Sequence, residues 1–171
     1  VSLAAVNAGV RQVQGTLNGL GERCGNANLC SVLANLALKE PYASRFETGV
    51  SPENLARLTA VSRLLDEILN RAPARHAAYV GPSAFAHKGG LHVSAVLKDP
   101  RTYEHVPPES VGNRRRVLVS DQAGRSNILA RLAELGIDVD ATDRRVARLL
   151  EEVKQREFLG YAYDGAEASF E

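Results

Sequence analysis

The sequence predicts an α/β fold: the closing part of a barrel or sheet of parallel strands to about residue 80, then a mainly helical region. Three observations carry this. A helix, a strand, a Gly-rich loop and a second helix succeed one another up to Leu38, which is the rhythm of parallel α/β architecture. From Tyr79 small residues, prolines and histidines replace that rhythm. Beyond Gly124 two amphipathic helical patterns follow each other.

Taken in order, the first residues read as the end of a helix with Gly9 as its stop. Val10 to Thr16 is short and β-favouring and predicts a strand. Asn18 to Asn26 is a polar, Gly-rich loop, and Ala27 to Leu38 a helix. After a connection containing Pro41 and Gly49, Ser51-Pro52-Glu53 opens the clearest helix. Ser51 suits the cap, Pro52 the first turn and Glu53 the positive end of the helix dipole. Leu55, Leu58, Val61, Leu64, Leu65, Ile68 and Leu69 form one apolar stripe along it, and Pro73 marks its limit. Val93 to Leu97 is a short apolar stretch and Val117-Leu118-Val119 is β-favouring. One helix centres on Ile128, Leu129, Leu132 and Leu135 and closes at Gly136; the next centres on Val146, Leu149, Leu150 and Val153. Leu159, Tyr161 and Tyr163 alternate like a strand entering another unit. The resulting partition is 1–80, 81–157 and 158–171. The opening Val1-Ser2-Leu3 and the closing Ser169-Phe170-Glu171 read as cut ends, so a longer protein is expected.

Composition excludes several classes. Hydrophobic residues make up 44% of the 171, and the formal net charge is +1, which describes a globular protein rather than a disordered tail. Balanced charge argues against nucleic-acid binding through bulk electrostatics. No apolar run approaches the roughly 20 residues of a membrane helix, and no secretory signal pattern is present. Cys24 and Cys30 match neither a redox nor a zinc spacing and read as reduced thiols of a cytoplasmic protein.

Two segments carry candidate chemistry. A loop after a parallel strand lies where α/β folds place ligands. Gly19, Gly21 and Gly25 allow close backbone approach there, while Glu22, Arg23 and Asn26 bring a carboxylate, a guanidinium and an amide together. The amide and carboxylate oxygens suit a magnesium-like cation. A plain capped turn, with Asn26 as N-cap of the next helix, is the competing reading. In the second segment His87 and His92 are five apart with glycines between, which argues against a joint metal site. A single histidine in such a loop suits proton transfer near neutral pH. Arg114-Arg115-Arg116 could meet a phosphate or form a solvated face; Tyr103 could donate to a ligand or pack; Gly124-Arg125-Ser126-Asn127 could receive an anion or cap a helix.

These pieces, in this order, resemble one family. Gln14-Gly15-Thr16-Leu17-Asn18-Gly19-Leu20-Gly21-Glu22-Arg23-Cys24-Gly25-Asn26 is similar to the loop after the seventh barrel strand of the isopropylmalate, homocitrate and citramalate synthases. Ser83 to His92 resembles their two-histidine segment, and Leu97 to Glu104, Val111-Gly112-Asn113 and Gly124-Arg125-Ser126 also match. The wording Gly90-Leu91-His92-Val93-Ser94-Ala95 and the ending Gly165 to Phe170 resemble the citramalate-forming branch. Val93-Ser94 stand where isopropylmalate synthases usually carry Gln-Asp.

The resemblance implies a TIM barrel followed by helical subdomains, 158–171 beginning a regulatory domain. It implies a cytoplasmic homodimer and a divalent metal (magnesium, manganese or zinc). The implied reaction is condensation of acetyl-CoA with a 2-oxo acid, here pyruvate, followed by thioester hydrolysis, in isoleucine biosynthesis. By this likeness Asn26 is a metal ligand and Glu22 orients its surroundings. His92 assists deprotonation of acetyl-CoA, Tyr103, Asn18 and Arg23 bind substrate, and His87 supports. The family's principal metal ligands, an Asp after the first strand and an HxH pair on the sixth, have no match here. The chain alone is therefore expected to bind metal weakly and to be inactive. The alternatives are another oxo acid, as in isopropylmalate or homocitrate synthases, or a non-catalytic dimerisation module.

Overall fold

The computed structural model describes residues 1–163, 166 and 170. The protein is α/β, mostly helical with a small parallel sheet, and divides into two compact units. The first comprises Val1–Phe85 with Val106–Arg114, the second Ala86–His105 with Arg115–Glu171. Among the described residues no helix is long and apolar enough to cross a membrane.

The first unit opens with α1 (Ser2–Asn7), which ends at Ala8 just before Gly9. The expected strand Val10–Thr16 does not form; among the described residues its single pairing is a parallel bridge between Thr16 and Asn28. Thr16 N–H donates to Ala27 O and Leu29 N–H to Thr16 O, both at 2.9 Å. β-favouring side chains become a strand only where another strand offers ladder partners, and this segment pairs instead with the return of its own loop.

Helix α2 (Leu29–Leu38) is capped by Asn28, whose Oδ1 accepts from Cys30 N–H at 2.9 Å. The cap is therefore Asn28, not Asn26. Both cysteines are free, Cys24 exposed and Cys30 buried. Cys30 and Ala34 of α2 meet Leu55, Leu58, Val80 and Phe85 in the core.

The helix expected to run unbroken from Ser51 is two, α3 (Pro52–Leu55) and α4 (Leu58–Ile68). Ser51 caps α3 as expected, accepting from Asn54 N–H. The predicted stripe also divides. Leu55 and Leu58 are buried, whereas Val61, Leu64, Ile68 and Leu69 are exposed, Ile68 to 72%. The buried face of α4 carries Thr59 and Ser62 beside Leu58. Their hydroxyls are satisfied by Val111 O at 2.7 Å and Asn18 Oδ1 at 2.6 Å, which makes a polar inward face tolerable.

In the second unit β1 (Ala86–His87) runs parallel to β2 (Arg116–Val117), pairing Ala86 with Arg116 and His87 with Val117. Helix α5 (Gly90–Lys98) runs through the stretch expected as apolar and buries Val93 and Val96, while Leu97 is exposed. Helices α6 (Arg125–Glu134) and α7 (Arg144–Phe158) fall where periodicity placed them, around Val119, Ile128, Val146 and Val153. Asn127, fully buried, ties the unit together. Its Nδ2 donates to Lys88 O at 2.8 Å and Leu118 O at 2.9 Å, and its Oδ1 accepts from Gly124 N–H at 3.0 Å. The Gly124–Asn127 segment is therefore a helix cap.

The alternation of Leu159, Tyr161 and Tyr163 is not a strand. Gly160, at φ +96°, turns the chain back, and Tyr161 N–H donates to Arg156 O at 3.1 Å, closing the end of α7. Most of the ending Gly165 to Phe170, and of the expected third segment after Tyr163, lies outside the described residues.

Candidate functional site

The Gly-rich loop of the first unit is shaped by its own backbone hydrogen bonds. Asn26 N–H donates to Gly19 O at 3.0 Å and Gly25 N–H to Glu22 O at 2.9 Å. Gly25 sits at φ +89°, and a Cβ there would lie 2.3 Å from Gly19 O, so only glycine closes this turn. Asn18 and Arg23 both hold φ +55°, a left-handed conformation that asparagine tolerates more readily than arginine.

Asn18 has both ends of its amide engaged. Nδ2 donates to Ser62 O at 2.9 Å and to Asp66 Oδ1 at 3.1 Å, and Oδ1 accepts from Ser62 Oγ and, at 3.5 Å, from Cys30 Sγ. The side chain expected to bind substrate thus fastens the loop to α4. Burial pushes the Cys30 thiol above its ordinary pKa.

Beside this junction lies a cavity of about 330 Å³, lined by Asn18, Arg23, Cys24, Arg63, Asp66 and Arg71 among others. Three guanidinium groups against one carboxylate make its wall electropositive. Arg23 lines it, while Glu22 and Asn26 stand exposed on the loop outside that lining.

Asn26 meets the requirement of a single metal ligand. Its Nδ2 donates to Leu20 O at 3.1 Å, which orients the amide and leaves Oδ1, a hard neutral donor, with no hydrogen bond among the described residues. No group of three or more His, Cys, Asp or Glu side chains among the described residues is placed to hold a metal.

The second unit brings His92 and Tyr103 together. Their rings stack with centroids 4.3 Å apart and planes 29° from parallel. Both residues are exposed, His92 on α5 and Tyr103 just after the turn Pro100–Thr102. His87 meets the same tyrosine edge-on at 6.5 Å. An exposed imidazole against a phenol is an arrangement that can accept a proton and donate a hydrogen bond to one ligand.

Glu104 was not singled out by sequence. It is 8% exposed, with both carboxylate oxygens occupied. Arg115 grips it through Nε to Oε1 at 2.6 Å and Nη2 to Oε2 at 2.5 Å, and His87 Nε2 lies 3.0 Å from Oε1. Burial would raise the carboxyl, but the bonds to Arg115 and His87 outweigh it and hold the group below its ordinary range. The middle of the arginine triplet thus faces a buried carboxylate rather than an external phosphate. The available signal was a Glu beside the tyrosine in a turn, with a surplus of arginines downstream.

Two family profiles match the chain: "HMGL-like" over residues 1–64 and "Homocitrate synthase post-HMGL domain-like" over residues 79–158. The chain is 54% identical over 170 residues to the (R)-citramalate synthase of Synechocystis sp. and 53% identical to that of Geobacter sulfurreducens. In each case 99% of this chain is covered. A homocitrate synthase of Methanopyrus kandleri is 41% identical over 155 residues, covering 91% of this chain. The chain spans about 30% of the length of the two citramalate synthases and 36% of the homocitrate synthase. On these matches, the chain belongs to the HMGL-like family of homocitrate and citramalate synthases.

Proposed function

We propose that this chain is part of a citramalate synthase, condensing acetyl-CoA with pyruvate and releasing CoA. The observation that carries this reading is identity above one half, along 99% of the chain, with (R)-citramalate synthases of separate bacteria. Homocitrate synthases match at lower identity, which favours pyruvate over a longer oxo acid. In this reading residues 1–80 close a TIM barrel, 81–157 form helical accessory subdomains, and the working enzyme is a cytoplasmic homodimer.

Each residue then has a task. Asn26 presents Oδ1 as a ligand, and Glu22 stands on the same exposed arc to orient the groups around it. The chemistry supplied by a bound divalent cation would be Lewis-acid polarisation of the ketone. Arg23, with the electropositive cavity, attracts the anionic substrates. Asn18 lines that cavity and acts by fixing the loop. His92 assists removal of a proton from the acetyl methyl group, and Tyr103 holds the imidazole and offers its hydroxyl to the thioester carbonyl. Proton removal and carbon–carbon bond formation are followed by addition of water, which cleaves the thioester.

The test is product formation by the intact natural protein containing this sequence. Citramalate from pyruvate, with little product from 2-oxoisovalerate, is expected, as is a loss of turnover on the order of a hundredfold or more in His92→Ala. Preference for 2-oxoisovalerate would overturn the substrate assignment. Unchanged turnover in His92→Ala would overturn the role of the histidine.

A further inference from the structure

We infer that Glu104, clamped between His87 and Arg115, is a positioning residue that sets the Tyr103 ring against His92. The catalytic consequence rests on the proposed function; the geometric one does not.

Tyr103 and Glu104 are neighbours that face opposite ways. The tyrosine is 42% exposed, whereas the glutamate side chain is 3% exposed. Both carboxylate oxygens are taken, one shared by His87 and Arg115 Nε, the other bound by Arg115 Nη2. A bidentate guanidinium fixes direction as well as distance. His87 lies on β1 and Arg115 immediately precedes β2, and the two strands are paired, so the groups holding Glu104 are themselves fixed. The backbone at Glu104 is further tied by its N–H to Pro100 O at 2.9 Å.

One peptide away, Tyr103 has little freedom left. Its ring is bounded by the edge of His87 and lies flat against His92. A carboxylate so enclosed cannot reach a ligand, so it acts through the tyrosine. A buried ion pair contributes little net stability over a well-packed apolar contact. What it supplies here is orientation.

The experiment has two arms. Histidine-selective NMR of the full chain reads the ring-current shift that Tyr103 imposes on His92, with Tyr103→Ala as the reference for its loss. Glu104→Gln, shown folded by circular dichroism, is expected to move the His92 signals toward that reference. Arg115→Lys, which keeps the charge but not the fork, is expected to move them partway and serves if Glu104→Gln does not fold. His92 signals unmoved in the folded variants would overturn the inference.

The second arm measures citramalate formation by the intact natural protein. Glu104→Gln is expected to lower kcat by on the order of tenfold to a hundredfold with KM for pyruvate nearly unchanged. Unchanged kcat in Glu104→Gln, alongside a large loss in His92→Ala, overturns the positioning role while sparing the function. A harmless His92→Ala removes the catalytic consequence, and the NMR arm still decides the geometry.

Discussion

Removing Arg115 is expected to destabilise the second unit more than neutralising Glu104 does, although both changes break the same ion pair. The asymmetry comes from burial. The Arg115 side chain is 32% exposed and the Glu104 side chain 3%. In Glu104→Gln the Arg115 side chain, 32% exposed, can still reach water with its head while its stem stays packed. The cost is that of imperfectly replaced hydrogen bonds, about 1–3 kcal/mol. In Arg115→Met the carboxylate stays buried with His87 as its remaining partner. Breaking a buried pair in this sense costs about 3–5 kcal/mol; partial exposure of the arginine places the expectation near the lower bound, about 3 kcal/mol.

Lowering the pH narrows the difference between wild type and Arg115→Met from both sides. In the wild type the folded carboxyl of Glu104 lies below its reference value of 4.5. Its contribution is therefore complete above the ordinary glutamate range and is lost as the pH falls through the lowered folded value. In Arg115→Met the lowering by Arg115 is lost, His87 alone opposes burial, and the folded value rises from its wild-type level. Acid then protonates the carboxyl in the folded state and relieves the cost. Asp99, Asp140 and Asp143 are also held low by neighbouring hydrogen bonds, but they are common to both proteins, so they cancel. Urea unfolding at pH 7 and pH 4 measures this, with hydrogen exchange at the Ile128 amide reporting the second unit specifically. Equal costs for the two variants at pH 7, or a cost for Arg115→Met that does not shrink at pH 4, would refute the reasoning.

Two further outcomes follow from the packing. Gly90→Ala places a Cβ 2.7 Å from Gly124 N and 2.8 Å from Gly124 Cα, backbone atoms that cannot swing aside. A loss of about 1–3 kcal/mol is expected, read as a lower urea midpoint at unchanged slope. Cys24 is exposed, while Cys30 is fully buried with its thiol pKa raised by burial. Iodoacetamide at pH 7.5 should label Cys24 alone in the folded protein and both thiols in urea; rapid native labelling of Cys30 would contradict its burial.

What the sequence revealed was what local chemistry decides. Ser51-Pro52 opens a helix, Gly136 follows the end of another, and the apolar steps around Ile128 and Val146 place α6 and α7, because each signal and its consequence lie within a turn or two. The α4 stripe shows where local reading stops. Its spacing is helical, yet the face turned inward is the one bearing Thr59 and Ser62, since Val111 O and Asn18 wait there to satisfy the hydroxyls. Periodicity reports that a face is apolar; which face is covered depends on partners distant in the chain. Val10 to Thr16 misleads in the same manner, because strand character is granted by a neighbour.

The candidate site divides along the same line. Asn26, His92 and Tyr103 stand as candidates because short motifs name them. Glu104 was not, because its partners stand 17 and 11 residues away and no spacing rule joins a carboxylate to a strand histidine and a downstream arginine. Asn18 was expected to bind substrate by family likeness, and the bonds of its amide to Ser62 and Asp66 on α4 were not foreseen. Both cases invert the usual weighting. The exposed groups proposed for the chemistry are legible in the sequence, while the buried polar groups proposed to aim them are legible only once the chain has closed on itself. A turn that ends Tyr-Glu can therefore carry two functions on adjacent residues, one facing the ligand and one anchored behind it, and the second is the better place to look for control of the first.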